Sequence, residues 1–223
     1  MITILIAAYN EEKFVGKTLE EVLSLPFRKQ VVVVDDGSKD GTYSILRSFG
    51  EDIVLLRNLE NRGKGYSLRK ALRYAVGKDV VFQDADGEYP PANIERLIDK
   101  REKAGADMVV GMRTMDVVAL YRDVSLTSFV ANKIFVKLMG IPDVFSGQRL
   151  LKTELLKRMS LESEGFEIEA EISLKALKLN ASIEFVPVSY YPRKREEGKK
   201  IGFYDFLKIS GYYLKFRFSE GLL

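Results

Sequence analysis

The stretch VVFQDADGEYPP, Val80–Pro91, decides how this chain is read. It opens as an apolar strand, Val80–Phe82, and runs straight into two carboxylates, Asp84 and Asp86, followed by Pro90 and Pro91. Carboxylates one residue apart at the mouth of a strand repel each other and persist only beside positive charge. Carboxylate oxygens suit Mg²⁺ or Mn²⁺, which also bridge phosphate oxygens, and Glu88 supplies a third oxygen donor.

The same pattern recurs on either side. ITILIAA at 2–8 is an unbroken apolar run, as a strand buried on both faces requires, and it is followed by Tyr9-Asn10-Glu11. VVVV at 31–34 ends in Asp35-Asp36-Gly37-Ser38. Further strands are predicted at 53–56, 107–112, 144–151 and 183–188. Helical spacing places helices after residue 10 with Asn10 as cap, at Ile45–Phe49, over Leu68–Val76, after Pro91, and over 125–139, 166–178 and 203–218. This alternation predicts an α/β fold, a mostly parallel central sheet flanked by helices. Ligands of such sheets sit beyond the carboxyl ends of the strands, where three polar clusters would meet here.

Composition narrows the chemistry. The chain has 223 residues, 46% of them hydrophobic, with no cysteine and no histidine. Disulfides, thiolate zinc sites and imidazole catalysis are excluded. Reactions must run on carboxylates, Lys/Arg, hydroxyls, backbone amides and a bound metal. The N-terminal apolar run is short and has no basic leader, which reads as a strand rather than a signal peptide. No run of about 18 apolar residues predicts a membrane span. The net charge is +3, yet residues 193–217 carry eight basic against three acidic side chains. That basic segment is laced with Phe203, Tyr204, Phe206, Tyr212, Tyr213, Phe216 and Phe218, which suits a membrane interface as well as packing on the sheet or between copies.

NLENRGKGYSLRKAL places Gly63 and Gly65 about Lys64 ahead of a helix, a turn able to hold an anion through backbone amides. It has neither the P-loop spacing nor the dinucleotide fingerprint. Asp36 would accept hydrogen bonds from a base or ribose, or simply build the Asp-Gly-Ser turn. A nucleotidyltransferase shares the sheet and the metal logic but calls for a glycine-rich run near the first strand, which AAYNEEKF lacks. The basic tail permits a non-catalytic nucleotide-sugar or nucleic-acid binding module, but intact Asp84 and Asp86 weigh against it.

AAYNEE, VVDDGSKDGT, NRGKG and DADGEYPP, in this order and spacing, resemble the family 2 glycosyltransferases of GT-A fold. DVFSGQRLLK (143–152), GFEIEAEI (165–172) and YYPRKREEGKKI (190–201) resemble the polyprenyl-phosphate sugar transferases, the group of dolichyl-phosphate mannose synthase. The resemblance covers nearly the whole chain. It implies a single catalytic domain over 1–223, with a nucleotide-sugar half (1–112) and an acceptor half (113–223). Ala8, Tyr9 and Glu11 would line the nucleoside pocket, Asp36 would contact the base, and Lys64 would face the nucleotide. Asp84 and Asp86 would form the family's D-x-D motif, with Asp86 on Mg²⁺ or Mn²⁺, Asp84 near ribose and metal, and Glu88 where relatives often carry Gln. Ser146, Arg149, Arg193 and Lys199 or Lys200 would meet the acceptor phosphate, and Arg149 and Arg193 join the two aspartates in catalysis.

The implied reaction is an inverting transfer from a GDP- or UDP-sugar to a polyprenyl phosphate. The enzyme would be cytoplasmic and peripheral on the membrane face or held by a membrane-protein partner, with no nucleic acid involved. A phosphate acceptor is already an anion and needs no base. A glycan or protein hydroxyl acceptor would need one, from Glu169 or Glu171, although both also suit the favourable acidic start of a helix.

Overall fold

A computed structural model describes residues 1–114, 143, 146–193 and 211. Seven strands form one sheet in the order β3-β2-β1-β4-β6-β5-β7. They are β1 (Ile2–Ala8), β2 (Lys29–Asp35), β3 (Val54–Arg57), β4 (Asp79–Phe82), β5 (Met108–Thr114), β6 (Arg149–Lys152) and β7 (Ile183–Ser189). The described helices are α1 (Val15–Ser24), α2 (Thr42–Ser48), α3 (Lys64–Leu72), α4 (Asn93–Ala104), α5 (Thr153–Arg158) and α6 (Ile168–Lys178).

The apolar runs become strands because both sheet faces are covered. Alternate side chains of a strand point to opposite faces. Ile4, Ile6, Val31, Val33 and Val81 pack on one side against Val15, Leu19, Ile94 and Leu97 of α1 and α4. Leu5, Val32, Val34, Val80 and Phe82 pack on the other against Leu68 of α3, Leu155 of α5 and Ile168 and Ile172 of α6. Each such side chain contributes about 1.5–3 kcal/mol when fully buried.

β1, β2, β3 and β4 are mutually parallel. β6 runs antiparallel between β4 and β5, with Arg149 opposite Phe82 on one side and Val110 on the other. β7 returns parallel to β5. The reversal of β6 positions the site: the residues just before it, Ser146–Gln148, lie at the same sheet edge as the ends of β1, β2 and β4. The residues after β7 reach that edge too.

The structure corrects several expectations. The strand anticipated over 144–151 begins only at Arg149, because Gly147 lies against the Asp84 carboxylate and Ser146 faces the Tyr89 hydroxyl instead. The short helix α5 was not anticipated. Val76 lies beyond α3 and is exposed. Asn10 does not cap α1, whose first turn follows Phe14. It takes a left-handed backbone, φ 50°, and its Oδ1 accepts from the Lys39 amide at 2.8 Å, tying the end of β1 to the loop after β2. Residues 125–139 and, Gly211 apart, 203–218 lie outside the described residues. Among those described, no helix is long and apolar enough to cross a membrane.

Candidate active site

The end of β1 is anchored before it meets any ligand. The Asp36 amide donates to the Ala8 carbonyl at 2.8 Å, joining β1 to the first residue after β2. Ala8 is buried and Tyr9 half-buried. The Glu11 amide donates to Thr42 Oγ1 at 2.7 Å, which leaves the buried Glu11 carboxylate aimed along the sheet edge.

Asp36 has a structural task of its own. Its carboxylate accepts from Asn58 Nδ2 at 2.6 Å and from the Arg62 and Gly63 amides at 3.0 and 2.8 Å. The amides of the NRGKG turn do hold an anion, and that anion is Asp36. Gly63 is required here: its φ is +95°, and a Cβ would strike the Glu164 main chain.

Lys64 opens α3 and points inward, between Asp84 and Glu169. Its Nζ lies 2.6 Å from Asp84 Oδ1 and 2.7 Å from Glu169 Oε1. Burial works against the ammonium, but the two carboxylates outweigh it and hold the Lys64 pKa above the ordinary lysine value. Gly147 closes the other side of Asp84, leaving no room for a side chain, since a Cβ there would strike the Asp84 carboxylate.

Asp86 belongs to a second cluster. Its Oδ2 lies 3.1 Å from Arg193 Nη2, and its Oδ1 accepts from the Glu88 amide at 3.0 Å. Burial, then the charges of Asp84 and Glu88, push the Asp86 carboxyl up to about 7 against the pull of Arg193. The Arg193 guanidinium also donates to Glu11 at 2.9 Å, lies 3.8 Å from Glu88 and sits over the Phe14 ring.

Glu88 holds the segment that carries this arginine. Its carboxylate accepts from the Tyr190 hydroxyl at 2.6 Å and from the Arg193 amide at 2.8 Å. In this arrangement it anchors residues 190–193 rather than facing an open position.

On the acceptor side, Ser146 is buried with its Oγ 3.4 Å from the Tyr89 hydroxyl. Arg149 has no exposed surface. Its guanidinium donates to the Ser146 carbonyl at 2.6 Å, the Glu169 carbonyl at 2.9 Å and Ser173 Oγ at 3.2 Å. Arg149 therefore braces the Ser146 loop from inside, where burial lowers its pKa. Lys199 and Lys200 lie outside the described residues.

The two acidic residues of α6 differ. Glu169 pairs with Lys64 beside Asp84. Glu171 points away from Asp84, accepting the Glu162 and Ser163 amides at 2.8 and 2.9 Å and pairing with Lys175 at 2.7 Å.

Sequence reasoning missed a supporting layer. Arg113 at the end of β5 grips Asp143 through two bonds of 2.7 and 2.6 Å and lies over the Tyr190 ring. The Tyr89 and Tyr190 rings meet at 4.8 Å, tilted by 49°. Gln148 donates to Gln83, and Gln83 to the Tyr89 carbonyl, each at 2.8 Å. The one local signal was Gln83, a polar residue with no other reason to end an apolar strand.

Among the described residues no group of three or more carboxylates is closed around a point as a metal ion needs. The donor chemistry nevertheless fits a hard divalent cation. Asp84, Asp86 and Glu88 crowd one turn, and buried cationic side chains already compensate their charge.

Residues 3–160 match the family model described as Glycosyl transferase family 2. A dolichyl-phosphate beta-glucosyltransferase of Dictyostelium discoideum is 30% identical over 85% of this chain and 66% of its own length. A UDP-N-acetylglucosamine–dolichyl-phosphate N-acetylglucosaminyltransferase of Methanococcus voltae is 27% identical over 94% of each. A solved mannosyltransferase of Pyrobaculum calidifontis, in complex with GDP-Man and Mn²⁺, shares the fold with a TM-score of 0.68 at 21% identity, over 99% of this chain and 64% of that one. The family match spans β1 to α5 and takes in the whole Asp84–Asp86 segment, so the chain belongs to the family 2 glycosyltransferases and carries their GT-A fold.

Proposed function

We propose that this glycosyltransferase moves a sugar from a nucleoside diphosphate onto a polyprenyl phosphate, with inversion at the anomeric carbon. The observation that carries the reading is that Ser146 and Arg193 both lie at the edge where β4 delivers Asp84 and Asp86. The residues proposed for the donor and for the acceptor phosphate share one edge of the sheet, which supports an in-line displacement.

In this reading Ala8, Tyr9 and Glu11 face the nucleoside, Asp36 holds the turn beneath the base, and Lys64 balances Asp84 beside the diphosphate. Mg²⁺ or Mn²⁺ bound at Asp86, with Asp84 and Glu88 close by, would stabilise charge on the departing diphosphate. Ser146, Arg193, Lys199 and Lys200 hold the acceptor phosphate, with Arg149 bracing Ser146 from within. The names of the dolichyl-phosphate relatives support this acceptor class, and the Mn²⁺ in the solved mannosyltransferase supports the metal.

A phosphate monoester attacks as the anion it already is. A hydroxyl acceptor would need a carboxylate base, but Glu169 is engaged by Lys64 and Glu171 by two amides and Lys175. Those engagements favour the phosphate. The aromatic, basic stretch 203–218 suits docking at the cytoplasmic membrane face.

The test is incubation with Mn²⁺, GDP- and UDP-sugars and a short polyprenyl phosphate, read by mass spectrometry. A glycosylated lipid that requires both metal and lipid phosphate is expected. Donor turnover onto a hydroxyl acceptor alone would overturn the reading.

A further inference from the structure

The Arg193 guanidinium is engaged by the chain's own carboxylates. Its Nη1 lies 2.9 Å from Glu11 Oε2, its Nη2 3.1 Å from Asp86 Oδ2, and its Nε 3.8 Å from Glu88 Oε1. The Phe14 ring lies 5.3 Å from its central carbon, and the side chain is 9% exposed. These carboxylates surround a planar, forked cation. A divalent ion needs its oxygens drawn in to about 2.0–2.2 Å, a different spacing around the same charges.

We propose that Arg193 is a displaceable counter-ion, seated on Glu11, Asp86 and Glu88 in the donor-free enzyme and exchanged for the divalent cation when the nucleotide arrives. This rests on the metal-dependent reading above. Two cations beside Asp86 would repel each other in a buried setting, so the ion and the guanidinium compete.

The tether makes exchange local. The Tyr191 amide donates to the Glu88 carbonyl at 2.8 Å, a main-chain bond that does not depend on any carboxylate. Residues 190–193 can stay docked while the long Arg193 side chain swings. Leaving three carboxylates is unfavourable for a guanidinium unless another anion receives it. The incoming nucleotide's diphosphate oxygens do so first through the same bidentate geometry, and the acceptor phosphate shares the guanidinium once it binds beside them. Metal entry without nucleotide is therefore opposed, metal entry with nucleotide is favoured, and the two ligands bind cooperatively. The exchange also delivers Arg193 to the phosphates at the moment the metal engages.

The experiment titrates the full chain with Mn²⁺, read by the electron paramagnetic resonance signal of the free ion, with and without GDP or UDP. Wild type is compared with Arg193→Met and Arg193→Lys. If the arginine-out state is populated about one part in ten, Arg193→Met binds Mn²⁺ about tenfold more tightly than wild type without nucleotide. Arg193→Lys, which keeps the charge but loses the fork, falls between. Nucleotide tightens Mn²⁺ binding more in wild type than in Arg193→Met. A merely structural role predicts weaker metal binding in both variants.

Unchanged or weaker Mn²⁺ binding by a cooperatively melting Arg193→Met overturns the exchange while leaving metal dependence intact. If that variant does not melt cooperatively, Arg193→Lys decides by the same comparison. No Mn²⁺ binding by wild type, even with nucleotide, overturns the metal reading and the exchange with it.

Discussion

Lys64 Nζ lies 2.6 Å from Asp84 Oδ1, an ion pair that joins the start of α3 to the turn after β4. The second partner of the ammonium, Glu169, brings in α6, so one cation pins three segments of the sheet edge. Removing it would leave two carboxylates facing each other with side chains only 19% and 5% exposed.

Lys64→Met should therefore destabilise the fold by about 3 kcal/mol, the usual cost of breaking a buried pair from one side. Adding Glu169→Gln removes one orphaned charge and should recover part of the loss. A double-mutant cycle by urea denaturation measures the coupling. Simple additivity would mean that the contact does not carry the energy.

Ionisation of Asp86 is costly to the fold. Burial and like-charged neighbours oppose its ionisation, so Asp86→Asn should leave the melting temperature unchanged or raise it. The same substitution should reduce sugar transfer by at least about a hundredfold if the residue holds the metal. Melting curves and transfer assays on one preparation check both, and near-normal turnover under limiting metal would sink the assignment.

Gly147 is required by space. Its missing Cβ is where the Asp84 carboxylate sits, with Lys64 Nζ 3.2 Å away. Gly147→Ala should cost about 1–3 kcal/mol through overpacking. Because it pushes on Asp84, donor KM should rise more than stability alone explains.

Away from the site, Asp107 makes the sheet acid-sensitive. Hydrogen bonds from Lys152 and then Ser182 hold its carboxyl down to about 2. A carboxylate with a depressed folded pKa adds stability above its unfolded value, and the gain disappears as pH falls through the folded one. The Asp107 contribution should thus be complete above about pH 4 and lost toward pH 2. With its side chain 31% exposed, about 1 kcal/mol is the expected size after screening. Asp107→Asn should lack this acid limb in denaturation measured against pH.

Much of this arrangement was readable in the chain. Ile4–Ile6, Val31–Val34 and Val80–Phe82 announce buried strands because both faces are covered, and the polar residues after each mark one edge. Lys64 reaches Asp84, while Asp86 joins Arg193, a division that the spacing did not announce. The direction of β6 was not readable, since Arg149-Leu150-Leu151 is too short to carry orientation. The engagement of Glu88 was hidden because its partners, Tyr190 and Arg193, lie about a hundred positions downstream and share no periodicity with it. Arg149 suggested a ligand contact, but its burial depends on three-dimensional neighbours, the Ser146 and Glu169 carbonyls.

The placement of β6 between β4 and β5 has a consequence for synthesis on the ribosome. β4 emerges early but must wait for Arg149–Lys152 before its second edge is paired. At about 5–20 residues per second, the nascent sheet shows an open, apolar border for several seconds. That interval is when the chain is most exposed to mispairing with its neighbours, and slowing elongation ahead of β6 should lengthen it.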